Sequence, residues 1–315
     1  MNARTRCRRL ATVLCAITIG GGTALGQDNG YRLEPGWARL PGGLQWGQVV
    51  AVDFDRDGNV FALHRCGADS CVGRSEPAIL KFDPSGELVQ SWGAGMFVWP
   101  HGLHIDRDGF IWVSDGRAAD GRGHQVFKLS ASGEVLMTLG TAGEAGADER
   151  HFDGPTDIAV APDGDIFVAD GHGNNRVVRY APDGTYVTAW GRAGAAPGEF
   201  NVPHAIAVDS RGRVLVGDRD NGRIQIFDRD GRFLEEWTQF GAPSGFYLAA
   251  GDVLYVAHAL GISAGRTADG VISVSLHHAE TAATEGNIED VGADAAGNIY
   301  AGLADPRILQ KLTKD

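Results

Sequence analysis

Positive charge is what this chain most lacks: 28 Lys and Arg stand against 40 Asp and Glu, a formal net charge of -12 at pH 7. Nucleic acid is excluded as a partner on that balance, since phosphate backbones are held by basic surfaces. Long apolar runs are also missing. The longest, Leu10 to Ile19, is half of the roughly 20 residues that span a bilayer. It follows Arg4, Arg6, Arg8 and Arg9 and precedes the small-residue stretch Ala24-Leu25-Gly26, so residues 1–26 read as a secretory signal, with an uncleaved anchor as the alternative. Cys15 suggests lipidation, but Leu14 before it fits that pattern poorly. Cleavage removes four Arg and no acid and leaves a mature chain at -16. The expected location is secreted or periplasmic, with no stable membrane span after processing and a monomer as the expected state. No Gly-rich phosphate cradle and no serine elbow is present. Cysteine is scarce: of four, Cys7 and Cys15 leave with the signal. Cys66 and Cys71 then close a small disulfide loop in an oxidising compartment, a metal pair being the lesser reading.

Glycine is abundant, 46 residues, too many for a helical protein, and with 43% hydrophobic residues the chain is expected to be all-β. A unit of about 45 residues recurs: strand, Gly turn, strand, polar loop, strand, turn, and a fourth strand that often ends in Trp-Gly. Its clearest copy runs from Ile158 to Gly191; others open near Val49, His101, His204, Tyr247 and Glu289. Turns such as Asp57-Gly58, Asp108-Gly109 and Asp230-Gly231 suit two-residue hairpin loops. The fifth copy, Gly251 to Leu276, is degenerate, and the sixth stops near Leu312 without a fourth strand. Six units predict a six-bladed β-propeller over residues 27–315 as one domain. Tyr31 to Leu40 would supply the missing outer strand and close the ring, with an open solenoid as the alternative.

Pro100-His101 and Pro203-His204 occupy the same point of alternate units, with Pro155-Thr156 between them. In a toroid such positions converge on the axis, so His101 and His204 are candidate zinc ligands although no local metal motif is present. The alternative is a pair of hydrogen-bonded strand-start histidines.

With the blades laid out, the chain resembles the NHL-repeat propellers and, within them, peptidyl-α-hydroxyglycine α-amidating lyase. The resemblance runs from about Trp46 to Leu312. Its phrases include His64-Arg65, Pro100-His101-Gly102-Leu103, Val202-Pro203-His204, and Asp218-Arg219 with Asn221 to Gln225. The resemblance implies an axial zinc held by three histidines, of which His101 and His204 match two. The third position falls at Glu289, and His258, His277 or His278 could reach the metal instead. It implies a structural calcium at the carbonyls of Val49 and Leu103 and the carboxylate of Asp290, oxygen donors that suit a hard cation. Arg65 and Arg219 match two active-site arginines, whose forked guanidinium suits a carboxylate; the alternative for Arg219 is an ion pair with Asp218 or Asp220. The family's catalytic tyrosine is replaced by His172, a candidate general base, fourth metal ligand or exposed loop residue. Its nearby disulfide is absent, with Asp153 and Gly173 at those positions.

The expected function is a secreted, metal-dependent lyase that cleaves the C–N bond of an N-acyl-α-hydroxyglycine, small-molecule or peptide, to an amide and glyoxylate. A divergent metal-dependent hydrolase or lactonase, and a non-catalytic propeller that binds a peptide, glycan or protein, are the alternatives.

Overall fold

The computed structural model describes residues 30–277 and 287–315. The expected signal segment and His278 lie outside the described residues, as does the side chain of His277. Six four-stranded antiparallel sheets form the six blades. Their innermost strands are Val49–Phe54, Pro100–Ile105, Pro155–Val160, Pro203–Val208, Pro243–Ala249 and Asn287–Ala293. In blades one to four the second strand is buried along its whole length, because a neighbouring blade covers each face. The outermost strand, such as Leu88–Trp92, is open to solvent along its middle.

Closure of the ring is visible in two independent places. Tyr31–Leu33 pairs with Ile308–Lys314, Tyr31 opposite Lys314 and Leu33 opposite Leu312, so the N-terminal segment supplies the sixth blade's missing outer strand. Blade one also packs on blade six, with Val49, Val52 and Phe82 against Tyr300 and Leu309. Each pair of neighbouring blades shares one such apolar cluster, and the six clusters run round the circle, which an open solenoid could not achieve. Fully burying each Val, Leu, Ile or Phe contributes roughly 1.5–3 kcal/mol, so the interfaces hold the ring.

The hairpin turns differ from the two-residue expectation. Gly58, Gly109 and Gly231 have φ of 80°, 84° and 84°, but each follows a one-residue-longer loop in which an Asp caps the turn. At the first, the Asp55 carboxylate accepts from the N–H of Asp57 and of Asn59, and the Gly58 N–H donates to the Asp55 carbonyl. A type I turn closed by a left-handed Gly gives the same strand exchange with better-satisfied donors.

One irregularity repeats in every blade and builds the bore. The inner strand bulges after its first residues, leaving Val50, His101 with Gly102, Thr156, His204, Ser244 and Glu289 out of register with the second strand. A bulge re-aims a side chain, and here it turns one residue of each blade toward the axis.

Candidate metal centre and its rim

Hydrogen bonds link these bulged residues from blade to blade. His101 Nδ1 lies 2.9 Å from the Thr156 carbonyl, Thr156 Oγ1 donates to the Pro203 carbonyl at 2.8 Å, His204 Nδ1 lies 2.6 Å from the Ser244 carbonyl, and Ser244 Oγ donates to the Ile288 carbonyl at 2.8 Å. A carbonyl only accepts, so Nδ1 carries the hydrogen in both imidazoles and each Nε2 presents a lone pair to the bore. His204 Nε2 is buried and has no hydrogen-bond partner.

A third imidazole completes the group. His172 comes from the loop after the second strand of blade three and leans over the bore because Gly154 and Gly171 leave room for it. A Cβ on Gly154 would sit 2.6 Å from the His172 Cβ, and one on Gly171 1.9 Å from the Pro203 carbonyl oxygen. His172 Nε2 lies 3.0 Å from His101 Nε2, and ligand nitrogens of His101, His172 and His204 all lie within 4.8 Å of one another. Zinc–nitrogen bonds of about 2.0–2.1 Å place two ligand nitrogens roughly 3.4 Å apart in a tetrahedral set, close to these separations, the His101–His172 pair being slightly tighter. Burial first, then neighbouring rings and Arg65, hold His101 far below the ordinary imidazole range; burial first, then Arg219, does the same for His204. His172, which keeps an exposed edge, is pushed down to about 4 by desolvation, then by Arg219, Arg65 and Arg117. Two neutral imidazoles with Nε2 lone pairs fixed toward the bore, one of them orphaned, and a third whose Nε2 donates to His101 and can give up that hydrogen, fit a borderline cation such as zinc.

Glu289 stands apart from this trio. As a bulge residue it carries only acceptors, so it cannot donate to a neighbouring carbonyl as the other polar bulge residues do; its Oε1 accepts from Asn287 Nδ2 at 2.8 Å. Burial raises its carboxyl, against the lowering fields of Arg65 and Arg219. Glu289, Arg219 and Ser244 line one recess beside the bore. His258 is engaged elsewhere: its Nδ1 accepts from the Leu260 N–H, so its Nε2 donates to Ser263 Oγ at 2.9 Å.

The rim is cationic. Arg65 is buried, donates Nε to the Pro100 carbonyl at 3.3 Å and also bonds Gln48 Oε1. Its guanidinium carbon lies 3.6 Å from the centre of the Trp99 ring, and that of Arg117 lies 4.0 Å from the same centre. Two guanidiniums so close to one ring centre occupy opposite faces. Trp99 in turn packs on His101 and His172, with centroids 5.1 and 5.2 Å apart. Arg219 forms an ion pair with Asp220 at 3.0 Å, while Asp218 pairs with Arg223. Sequence reasoning missed Trp99 and Arg117. A signal existed: Arg65, Arg117, His172 and Arg219 all fall within two residues of the end of the second strand in successive blades.

The expected calcium residues occupy the interior of the ring. Val49, Leu103 and Asp290 are buried, and Asp290 Oδ2 accepts from the Val52 N–H at 2.8 Å. Burial, then Asp157 and later Asp53, raise the Asp290 carboxyl well above its ordinary value. Leu103, His104, Asp53 and Asp157 line a cavity in the bore. Cys66 and Cys71 are bonded, with Cα atoms 5.1 Å apart, and close the loop that follows Arg65. No helix among the described residues is long and apolar enough to cross a membrane.

The fold and repeats define an NHL-repeat six-bladed β-propeller: the NHL repeat model matches residues 152–180 and 200–227. Within that class the chain resembles peptidyl-α-hydroxyglycine α-amidating lyase. It is 33% identical to peptidyl-alpha-hydroxyglycine alpha-amidating lyase 1 of Drosophila melanogaster over 228 residues, 64% of this chain and 41% of that one. It is 36% identical to peptidyl-glycine alpha-amidating monooxygenase A of Xenopus laevis over 236 residues, 67% of this chain. The match spans 24% of that monooxygenase's length. A gluconolactonase from Xanthomonas campestris shares the fold at a TM-score of 0.62 and 18% identity, covering 86% of this chain and 87% of that one.

Proposed function

We propose that this protein is a secreted, metal-dependent lyase that splits an N-acyl-α-hydroxyglycine into an amide and glyoxylate. The observation that carries the reading is the convergence of His101, His172 and His204 beside the guanidiniums of Arg65 and Arg219. The sequence expectation gave the third metal position to Glu289 and the proton-accepting role to His172; the geometry favours the exchange of those two roles. Zinc bound by the three imidazoles would supply Lewis acidity at the substrate hydroxyl. The Thr156 and Ser244 carbonyls hold His101 and His204 in the tautomer that leaves Nε2 free. Arg65 and Arg219 grip the substrate carboxylate and fix the carbinol carbon over the bore. Glu289, in the recess with Arg219, accepts the hydroxyl proton at Oε2. As the C–N bond breaks, the oxygen's electrons form the aldehyde of glyoxylate, and the proton passes to the departing amide nitrogen.

The carbonyls of Val49 and Leu103 with the Asp290 carboxylate are proposed to hold a structural calcium, which would offset the crowding of buried carboxylates in the bore. The test of the main reading is direct: the protein with zinc and an N-acyl-α-hydroxyglycine releases glyoxylate well above the rate of its His101→Ala variant. Equal rates would remove the reaction.

A further inference from the structure

The rim holds more positive charge than one carboxylate needs. Elsewhere in the blades arginines are paired: Arg176 with Asp170, Arg179 with Asp165, Arg213 with Asp209 and Arg223 with Asp218, all at 2.6–2.9 Å. Arg65, which is equally buried, breaks that habit, and the exposed Arg117 stacks on the same ring. Among the described residues neither forms an ion pair; each lies instead against a face of Trp99. A guanidinium on an indole keeps its outward N–H groups free, and the stacking restricts its rotamers, so it is preorganised for an anion. Arg117 is also positioned by its backbone: the Gly116 N–H donates to the Trp99 carbonyl at 3.0 Å, and a Cβ on Gly116 would press on the indole at 3.1 Å. All this lies on a strongly acidic chain, and while Asp220 pairs with Arg219 and Glu289 stands in the field of Arg65, Arg117 has no ion-pair partner among the described residues.

We infer that Arg117 is a specificity residue that receives a second carboxylate of the substrate, carried on its acyl portion, while Arg65 and Arg219 hold the carboxylate of the hydroxyglycine. Trp99 separates the two anion seats by the thickness of one ring, which suits acyl groups with an acid a few carbons from the amide. The inference rests on the lyase reading for the identity of the first carboxylate. The seat for the second rests only on Arg117 and Trp99.

The test is equilibrium binding of two unreactive ligands, N-acetylglycine with one carboxylate and N-succinylglycine with two, to the zinc-loaded protein at low salt. N-succinylglycine is expected to bind about tenfold tighter, equivalent to about 1.4 kcal/mol. The preference falls toward unity in Arg117→Gln, partly survives in Arg117→Lys and is unchanged in Arg122→Gln, whose guanidinium bonds the Gly95 carbonyl instead. Equal affinities in the native protein, absence of N-succinylglycine binding, or a preference that persists in Arg117→Gln would each overturn the inference. Failure of the lyase reading is seen separately, as no glyoxylate release alongside an intact dicarboxylate preference.

Discussion

Truncating Asp170 should unfold the protein more easily and loosen the metal centre at once. The Asp170 carboxylate is fully buried at the end of the second strand of blade three, two residues before His172. It accepts from the Asp153 N–H at 3.0 Å, from Asn174 Nδ2 at 2.7 Å and from Arg176 Nε at 2.9 Å. The Arg176 side chain is 10% exposed, and its remaining N–H groups go to the Ala147, Asp148 and His151 carbonyls. In Asp170→Ala that guanidinium stays buried without its counter-charge, and removing one partner of a buried pair costs about 3–5 kcal/mol. Urea denaturation at pH 7 with chelator present would measure it. Zinc titration of the folded variant should show weaker binding, because the backbone that carries His172 loses its anchor. Asp170→Ala combined with Arg176→Met removes the stranded charge and should recover about 2 kcal/mol relative to simple addition. A loss below about 1 kcal/mol in the single variant, or strict additivity in the double, would refute the reasoning.

Further outcomes follow from the same geometry. Glu289→Gln should retain zinc while its turnover falls by about 10²–10⁴, the range for loss of a general acid–base; zinc analysis with steady-state kinetics checks both, and loss of zinc would restore Glu289 as a ligand. In the bore, Asp157 is raised to about 7, by burial first. Its stabilising contribution is therefore complete below the ordinary carboxylate range and is lost as pH rises through about 7, so thermal stability without divalent cations should decline from pH 5 to 8. Calcium should restore stability at pH 8 and do little at pH 5; identical curves with and without calcium would contradict the proposed site. Replacing Cys66 and Cys71 by Ser should cost about 2 kcal/mol, the loop-closure value for so short a loop, read as a lower urea midpoint.

The blades were legible because their determinants are local. Gly turns, apolar alternation and the recurring Pro-X-X start each act within a few residues, and even the ring's closure by Tyr31–Leu33 could be argued from the strand that the sixth unit lacks. His101 and His204 could be found because the bulge that turns them inward recurs at the same register in every blade. The reach of His172 could not be read the same way. It depends on Gly154 leaving space under the His172 loop within blade three and on Gly171 allowing close approach to Pro203 of blade four, packing relations between segments that sequence spacing does not encode. Glu289 shows the converse: its alignment with a family ligand was legible, but a carboxylate cannot donate into the carbonyl chain that orients the imidazoles, and so it bonds Asn287. Arg117 escaped because Arg65 and Arg219 stand in phrases that carry the family resemblance, while Gly116-Arg117 stands in none, and its equivalence to them shows only once the second strands are placed.

The measurement closest to the centre of this account is the metal content of the protein and of its His101→Ala, His204→Ala and Glu289→Ala variants after incubation with zinc and removal of excess. One zinc per chain is expected in the native protein and in Glu289→Ala, and less than a tenth of that in either histidine variant. A native protein that binds no zinc, or histidine variants that keep it in full, would leave the imidazole cluster without the role assigned to it.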